Sequence, residues 1–335
     1  MNGIALRLRQ RLVAAMLVST LLLLVAGLAS GSEGWSLPSL WGPDASLIVG
    51  QIRAPRTLGA WLVGALLGLA GAVAQGLFRN PLADPYLLGA ASGATLAVVL
   101  GLAAQALAGH YISLSAADLL SRAGLVLGAF LGALGGVLLT LLLSRGAQHT
   151  TRLLLAGVVV GVVLGAASDL VTTVAPDALR GKQWFMLGST SFLGWDSVLL
   201  LGAGALVCVP LAWRLARALD ALTLGTDSAL SLGLDLPKLR LVLVIVLALA
   251  TGLAVAQSGL IAFVGLVSPH LVRRFAPSAQ GYLLVVSALM GGTLLLAADV
   301  LARLLIAPQE LPVGVLTALL GGGYLLWLLH RRGIE

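Results

Sequence analysis

The chain has 335 residues, of which 59% are hydrophobic and only 10% are charged. Soluble domains are roughly one quarter charged, so this composition excludes an ordinary soluble protein. The formal net charge of +7 does not indicate a nucleic-acid partner, because Lys and Arg of membrane proteins gather in cytoplasmic loops and set the topology.

Apolar runs of about 20 residues recur along the chain, and each is long enough to cross a ~30 Å hydrocarbon core as a helix. A window of about 19 residues predicts ten spans, near 12–31, 57–78, 86–108, 123–143, 153–174, 197–213, 240–256, 259–271, 282–303 and 312–330. We expect protein to shield the short eighth span, because unpaired backbone groups are costly in lipid. The predicted fold class is all-α, a polytopic bundle of about ten transmembrane helices in one domain, 1–335.

The first span has two interpretations. Arg7, Arg9 and Arg11 precede an apolar stretch that ends near Ser30, an arrangement typical of a secretory signal peptide. The stretch is long for a signal sequence, and the rest of the chain is apolar as well. We therefore expect a retained first helix.

The basic residues predict the orientation. With ten spans and a cytoplasmic N-terminus, 14 of the 20 Lys and Arg residues fall on the cytoplasmic side, as the positive-inside rule requires. An inner-membrane protein with both termini in the cytoplasm is the consistent prediction. The basic residues left on the periplasmic side are Arg53, Arg56, Arg122, Arg180, Lys182 and Arg303.

Glycines recur every fourth residue in several spans, at Gly64 and Gly68, Gly89 and Gly93, Gly128, Gly132 and Gly136, and Gly157, Gly161 and Gly165. This spacing puts small residues on one helix face and allows two backbones to approach closely. Helix packing is the simpler interpretation. A glycine-lined translocation path is the alternative for the face that begins at Gly157.

The loop between the second and third spans reads Asn80-Pro81-Leu82-Ala83-Asp84-Pro85. Its two prolines restrict the backbone, and Asn80 and Asp84 can hydrogen-bond within their own turns. The pattern predicts either a rigid cytoplasmic turn or a gate of fixed shape.

The longest predicted cytoplasmic segment covers about 214–239. Its apolar spacing predicts two short helices with a turn at Gly225-Thr226. A helix lying in the lipid interface is usually rich in Lys and Arg, whereas this segment carries Asp220, Asp227 and Asp235. A groove on a partner protein is therefore the favoured binding site for these helices.

Several stretches together resemble the FecCD-type permease family, the membrane subunits of type II ABC importers for iron-siderophores, haem and cobalamin. The matching stretches are 53–57 (RAPRT), 75–85 (QGLFRNPLADP), 88–89 (LG), 92–94 (SGA), 153–157 (LLLAG), 263–270 (FVGLVSPH), Asp299 with Arg303, and 311–314 (LPVG). The resemblance covers nearly the whole chain, with the stretches in the family's order.

The resemblance implies a type II permease fold, a homodimer with a central cavity, two cytoplasmic ATPase subunits and a periplasmic substrate-binding protein. The resemblance implies that Arg53, Arg56 and Arg303 dock the binding protein and that a cytoplasmic gate is formed by Asn80, Leu82, His149 and Thr150. It implies coupling to the ATPase through the 221–236 segment, including Gly225, Ala229 and Gly233. It also implies a path lined by the fifth and tenth spans, including Gly157, Gly161 and Gly165. Two departures from the family pattern are the absence of proline near Gly323 and the replacement of small hydroxyl residues by His149 and Thr150.

The chain contains no GxxxxGK[ST] phosphate loop. We therefore expect ATP and Mg²⁺ to bind the partner ATPase, with no cofactor or metal in this chain and no enzymatic activity of its own. The sequence leaves open which chelate is carried.

An ion-coupled secondary transporter is the alternative function, but such proteins place ionisable groups at mid-membrane. Only Asp169 and Asp299 come near a span interior, and Arg303 lies one helical turn from Asp299, which predicts a structural ion pair. An intramembrane enzyme would need clustered catalytic residues or metal ligands. The four histidines, His110, His149, His270 and His330, are instead scattered over loops and span ends.

Overall fold

The computed structural model describes residues 2–31, 34–36, 42, 45–108, 114–146 and 149–332, so His110 lies outside the described residues. The helices are α1 Asn2–Ala29, α2 Ala45–Leu47, α3 Ala54–Phe78, α4 Ala90–Ala108, α5 Leu114–Leu143, α6 Thr150–Val174, α7 Asp177–Leu187, α8 Trp195–Arg214, α9 Ala216–Thr223, α10 Thr226–Ser231, α11 Leu236–Ser258, α12 Val264–Phe275, α13 Gln280–Leu304 and α14 Val313–Arg332. A π-helical segment, Ile48–Arg53, joins α2 to α3, and a 3₁₀ turn, Pro85–Leu88, precedes α4. Two short strands, β1 Ser30–Gly31 and β2 Gly34–Trp35, pair antiparallel with Ser30 opposite Trp35.

Within these residues, seven helices are long and apolar enough to cross a membrane. They are Leu6–Ala29, Ala45–Phe78, Ala123–Leu143, Thr150–Val174, Trp195–Arg214, Leu236–Ser258 and Gln280–Leu304. Two shorter apolar helices, Ala90–Ala106 and Val313–Leu328, together with α12 account for the remaining predicted spans. The predicted all-α bundle of about ten helices is confirmed.

Helix α3 lies at the centre of the bundle and is buried around almost its whole circumference. It packs against α8, α11, α12 and α13, which explains why its sequence is apolar on every face. A methyl group on Gly64 or Gly68 would overlap the carbonyl oxygens of Gly291 and Ser287 on α13. Glycine is required there because the two backbones touch.

A second close contact joins α4 to α5. A methyl group on Gly93 would overlap the carbonyl oxygen of Gly132, and one on Gly136 would overlap that of Gly89. Packing is thus the confirmed interpretation of these glycines. Gly128 differs from them, since no described atom outside its own helix lies within 4 Å of a methyl group built there.

Helix α12 is the short eighth span, and it begins later than the sequence predicts. Helix α11 ends at Ser258, and the chain then runs without helix to Phe263, which has φ of +66°. The freed backbone groups find partners inside the protein: Tyr86 Oη donates to the Ile261 carbonyl at 3.0 Å, and the Leu260 amide donates to the Phe185 carbonyl at 3.0 Å. The break is therefore shielded by protein, as expected.

Helix α1 packs along α13. Met16 is buried against Leu283 and Met290, and the hydroxyls of Thr20 and Thr293 share a hydrogen bond of 2.7 Å. These contacts make α1 an integral helix of the bundle, as expected of a retained first span.

The two short helices predicted between the sixth and seventh spans are confirmed as α9 and α10, with Gly225 between them. Helix α7 was missed by the sequence analysis, which treated 175–196 as a connection. Its mixed composition keeps it below the apolarity of a span, and it packs on α4 and on the beginning of α14.

Candidate docking, gate and coupling sites

A cluster of charged residues lies where α3 begins and α13 ends. Asp299 is fully buried and pairs with Arg303, one turn further along α13. It also accepts hydrogen bonds from Arg56 Nη2 at 3.1 Å and from Thr190 Oγ1 at 2.6 Å. The predicted Asp299–Arg303 structural pair is confirmed.

Glu310 closes the outer side of this cluster. Arg56 Nη1 donates to Glu310 Oε1 at 2.9 Å, and Ser191 Oγ donates to Glu310 Oε2 at 3.0 Å. Partial burial alone would raise the pKa of the Glu310 carboxyl, but the hydrogen bond and positive charge of Arg56 outweigh it and hold that pKa below its ordinary value. The cluster thereby connects α3, α13, the α7–α8 loop and the α13–α14 loop.

The three arginines predicted to dock a partner are not equivalent. Arg303 is only 1% exposed, and its guanidinium donates to the Gly27 carbonyl at 2.9 Å as well as to Asp299. This burial contradicts a docking role for Arg303, because a partner cannot reach its charge. Arg56 retains 11% side-chain exposure, and Arg53 is partly exposed and donates to the Leu28 carbonyl at 3.1 Å.

The predicted gate loop forms a hydrogen-bonded turn after α3. Arg79 adopts φ of +49° and ends the helix; Asn80 Oδ1 then accepts from the Leu82 amide at 2.9 Å. The turn leaves Leu82 54% exposed. A rigid turn that presents one apolar side chain fits both the structural and the gating interpretation.

Asp84 ends the same loop. Its carboxylate caps the 3₁₀ turn by accepting from the Tyr86 amide at 2.8 Å. Burial raises the pKa of this carboxyl to about 6, and the hydrogen bond from Tyr86 offsets only part of that rise.

The second part of the predicted gate lies at the start of α6. His149 is exposed and extended, and its carbonyl accepts from the Leu153 amide at 3.0 Å. Two turns into α6, a methyl group on Gly157 would overlap the carbonyl oxygen of Leu87 in the 3₁₀ turn. Helix α6, which begins at Thr150, is thus packed on the turn that follows Asn80 and Leu82, and this packing links the two gate segments.

The glycine face of α6 does not form one continuous lining. Gly157 is buried against Leu87, which contradicts a path-lining role and assigns it to packing. A methyl group on Gly161 would meet only Ser92 Oγ, at 3.6 Å, and one on Gly165 would meet no described atom within 4 Å. The first half of α6 instead exposes several large apolar side chains in the single chain, Leu155, Val158, Val159, Val162 and Val163.

In the predicted coupling segment, glycine is needed for its backbone conformation. Gly225 and Gly233 have φ of +112° and +77°, a region that side chains disfavour. A methyl group on either would meet no described atom within 4 Å, so crowding inside the chain is not the reason.

The segment of α9 and α10 exposes three leucines among polar side chains. Ala229, which the resemblance places in ATPase coupling, is fully buried and packs inside the chain, whereas Leu224, Leu230 and Leu232 are 55–71% exposed. Asp220 Oδ1 accepts from the Gln280 amide at 2.9 Å. This bond ties α9 to the first turn of α13 and so connects the surface to the bundle.

Sequence reasoning missed Glu310, Thr190 and Ser191. Glu310 carried a usable signal, because it is an acidic residue in the predicted periplasmic loop that follows Arg303. Thr190 and Ser191 carried none, since hydroxyl residues are common in loops and only the fold brings them to Asp299 and Glu310.

Comparison with known proteins gives one consistent result. The model of the FecCD transport family matches residues 8–331. The hemin transport system permease protein HmuU of Yersinia pestis is 40% identical over 339 residues, which cover 99% of this chain and 98% of the relative. The vitamin B12 import system permease protein BtuC of Pectobacterium atrosepticum is 39% identical over 328 residues, which cover 96% and 94%.

Solved structures agree. A metal-chelate type ABC transporter in an inward-facing conformation has a TM-score of 0.84 and 27% sequence identity, over 96% of this chain and 99% of that one. PsaBC from Streptococcus pneumoniae has a TM-score of 0.51 at 17% identity, a likeness of fold alone.

Proposed function

The chain belongs to the FecCD transport family and is a permease of the ABC-importer class, and on that premise we propose that it carries a metal chelate such as haem or cobalamin inward across the bacterial inner membrane. The observation that carries the proposal is whole-length similarity to permeases for both hemin and vitamin B12. Ferric siderophores remain within the same class of cargo. Family membership gives no support to the ion-coupled alternative.

The proposed assembly contains two copies of this chain, two cytoplasmic ATPase subunits and one periplasmic binding protein, with both termini of the chain in the cytoplasm. The basic residues support this orientation, and the exposed leucines of α9 and α10 supply an apolar surface for the ATPase. ATP and Mg²⁺ bind the ATPase subunits, and this chain itself is not catalytic. The prediction of one domain over 1–335 is supported by a hydrophobic core that runs from Val63 to Leu316.

Within this assembly, Arg53 and Arg56 meet the binding protein, while Asn80, Leu82, His149 and Thr150 close the cytoplasmic end. Gly225 and Gly233 shape the coupling segment, and Gly161 and Gly165 leave room along α6. Arg303, Ala229 and Gly157 are structural in this proposal, because each is buried within the single chain.

Reconstitution tests the proposal. Liposomes that contain this chain, its ATPase and its binding protein should accumulate haem, cobalamin or a ferric siderophore when ATP is supplied on the ATPase side. The chain alone should neither hydrolyse ATP nor accumulate cargo. Uptake driven by an ion gradient through the chain alone would contradict the proposal.

A further inference from the structure

Arg56 is held by two carboxylates that differ in accessibility. Asp299 has no exposed surface, whereas the Glu310 side chain is 22% exposed and lies on the loop between α13 and α14. Asp299 accepts from Nε and Nη2 of Arg56, and Glu310 accepts from Nη1. One carboxylate therefore fixes the guanidinium from inside the protein, and the other covers its outer edge.

Glu310 also holds the α7–α8 loop through Ser191 Oγ. That loop has backbone bonds to two other elements: the Ser189 amide donates to the Ser258 carbonyl at 2.8 Å, and the Gly314 amide donates to the Gly188 carbonyl at 3.4 Å. A change at Glu310 thus reaches the end of α11 and the first turn of α14 through one short loop.

We propose that Glu310 is an exchangeable counter-ion, which a carboxylate of an acidic periplasmic partner replaces on Arg56, so that Ser191 and the α7–α8 loop are released when the partner docks. The inference rests on the proposed function, since it needs a binding protein on this face. Beyond docking by arginine, it assigns a role to Glu310: this residue competes with the partner's carboxylate for Arg56, and its displacement releases the α7–α8 loop.

The accessibility of the two carboxylates determines which one exchanges. The Arg56–Glu310 pair keeps partial contact with water, so it is weaker than a fully buried pair and is partly screened by salt; a partner's carboxylate can therefore displace Glu310. Removing a buried partner leaves an uncompensated charge, so Asp299 stays in place and keeps Arg56 oriented. The exchange preserves the number of bonds to Arg56 while the bond from Ser191 to Glu310 is lost.

The first measurement is the affinity of the permease in lipid nanodiscs for its periplasmic binding protein. Glu310→Gln removes the competing charge and should tighten binding by about two- to fivefold, the range expected for a surface ion pair. Asp196→Asn is the matched control: this exposed residue of α8 makes no ion pair in the described part of the chain, and its substitution removes the same charge. It should leave the affinity unchanged.

The second measurement reports on the loop. Phe192 is 75% exposed beside Ser191, and Cys208, the single cysteine of the chain, is buried, so a maleimide fluorophore reacts selectively at Phe192→Cys. Docking should change its emission in the otherwise unaltered chain. In the Glu310→Gln chain the emission should be shifted before docking, and docking should change it less.

The outcomes separate the two ideas. If the binding protein fails to bind the unaltered permease, both the proposed function and the exchange are wrong. If it binds but Glu310→Gln and Asp196→Asn give the same affinity and emission, only the exchange is overturned. Unfolding temperatures of all variants, measured in the same nanodiscs, exclude loss of fold as the cause.

Discussion

Thr190, on the loop after α7, donates a hydrogen bond of 2.6 Å to Asp299, which is fully buried near the end of α13. The two residues lie 109 positions apart in the chain. Their contact shows that the charged cluster is a junction between helices as well as a candidate docking site.

Asp299→Asn should destabilise the protein by about 3 kcal/mol or more, because it leaves the buried charge of Arg303 without its counter-ion. The unfolding temperature of the purified chain in detergent measures the loss. Asp169→Asn is the control, since Asp169 also pairs with a basic residue but is 75% exposed. Equal effects of the two substitutions would contradict the importance of burial.

Gly64→Val should reduce the yield of folded protein sharply. A side chain there overlaps the Gly291 carbonyl oxygen, and overpacking of a tight contact costs about 1–3 kcal/mol or more. Gly128→Val tests the same substitution at a glycine with open space around it and should fold normally. Folded yield is measured by size-exclusion chromatography in detergent.

Leu232→Ser should weaken association with the ATPase by tenfold or more without altering the fold. Leu232 is 66% exposed on the coupling segment, and its burial in a partner's groove would contribute about 1.5–3 kcal/mol. Co-purification of permease and ATPase measures the effect. Leu305→Ser, a substitution of similar exposure at the other end of the bundle, should leave co-purification intact; an equal loss would show that the segment is only a connector.

Asp84 should make stability depend on pH. Its folded-state pKa of about 6 lies above the ordinary value of 3.8, so between these values the folded chain binds more protons than the unfolded chain. The free energy of unfolding should therefore fall as the pH rises from about 4 to about 6. Asp84→Asn should remove this slope in unfolding temperature, and Asp227→Asn, at an exposed position, should keep it.

Arg53→Glu should weaken association with the binding protein by tenfold or more at low salt, because it introduces repulsion towards an acidic surface. The effect should shrink at high salt. Lys238→Glu reverses a charge at a residue that is 84% exposed near the opposite end of the bundle and should change nothing in the same binding assay. Unchanged association of the Arg53 variant at low salt would return Arg53 to contacts with lipid headgroups.

The sequence alone determined the fold class. A segment that crosses lipid must form all its backbone hydrogen bonds internally, as a helix does, and it is therefore visible in the sequence as a long apolar run. It also determined the two short helices α9 and α10, the shielded break before α12 and the pairing of Asp299 with Arg303. In each case the signal is local: an apolar run, a glycine at a turn, or opposite charges one helical turn apart.

Only the tertiary structure decided which residues face a partner. Arg303 and Arg56 look alike as periplasmic arginines, but long-range packing buries the first and leaves an edge of the second accessible. Gly157 and Gly165 share one sequence spacing, yet only Gly157 has a neighbouring backbone against it. Burial depends on elements far apart in the chain, and neither residue type nor spacing encodes which of them will meet.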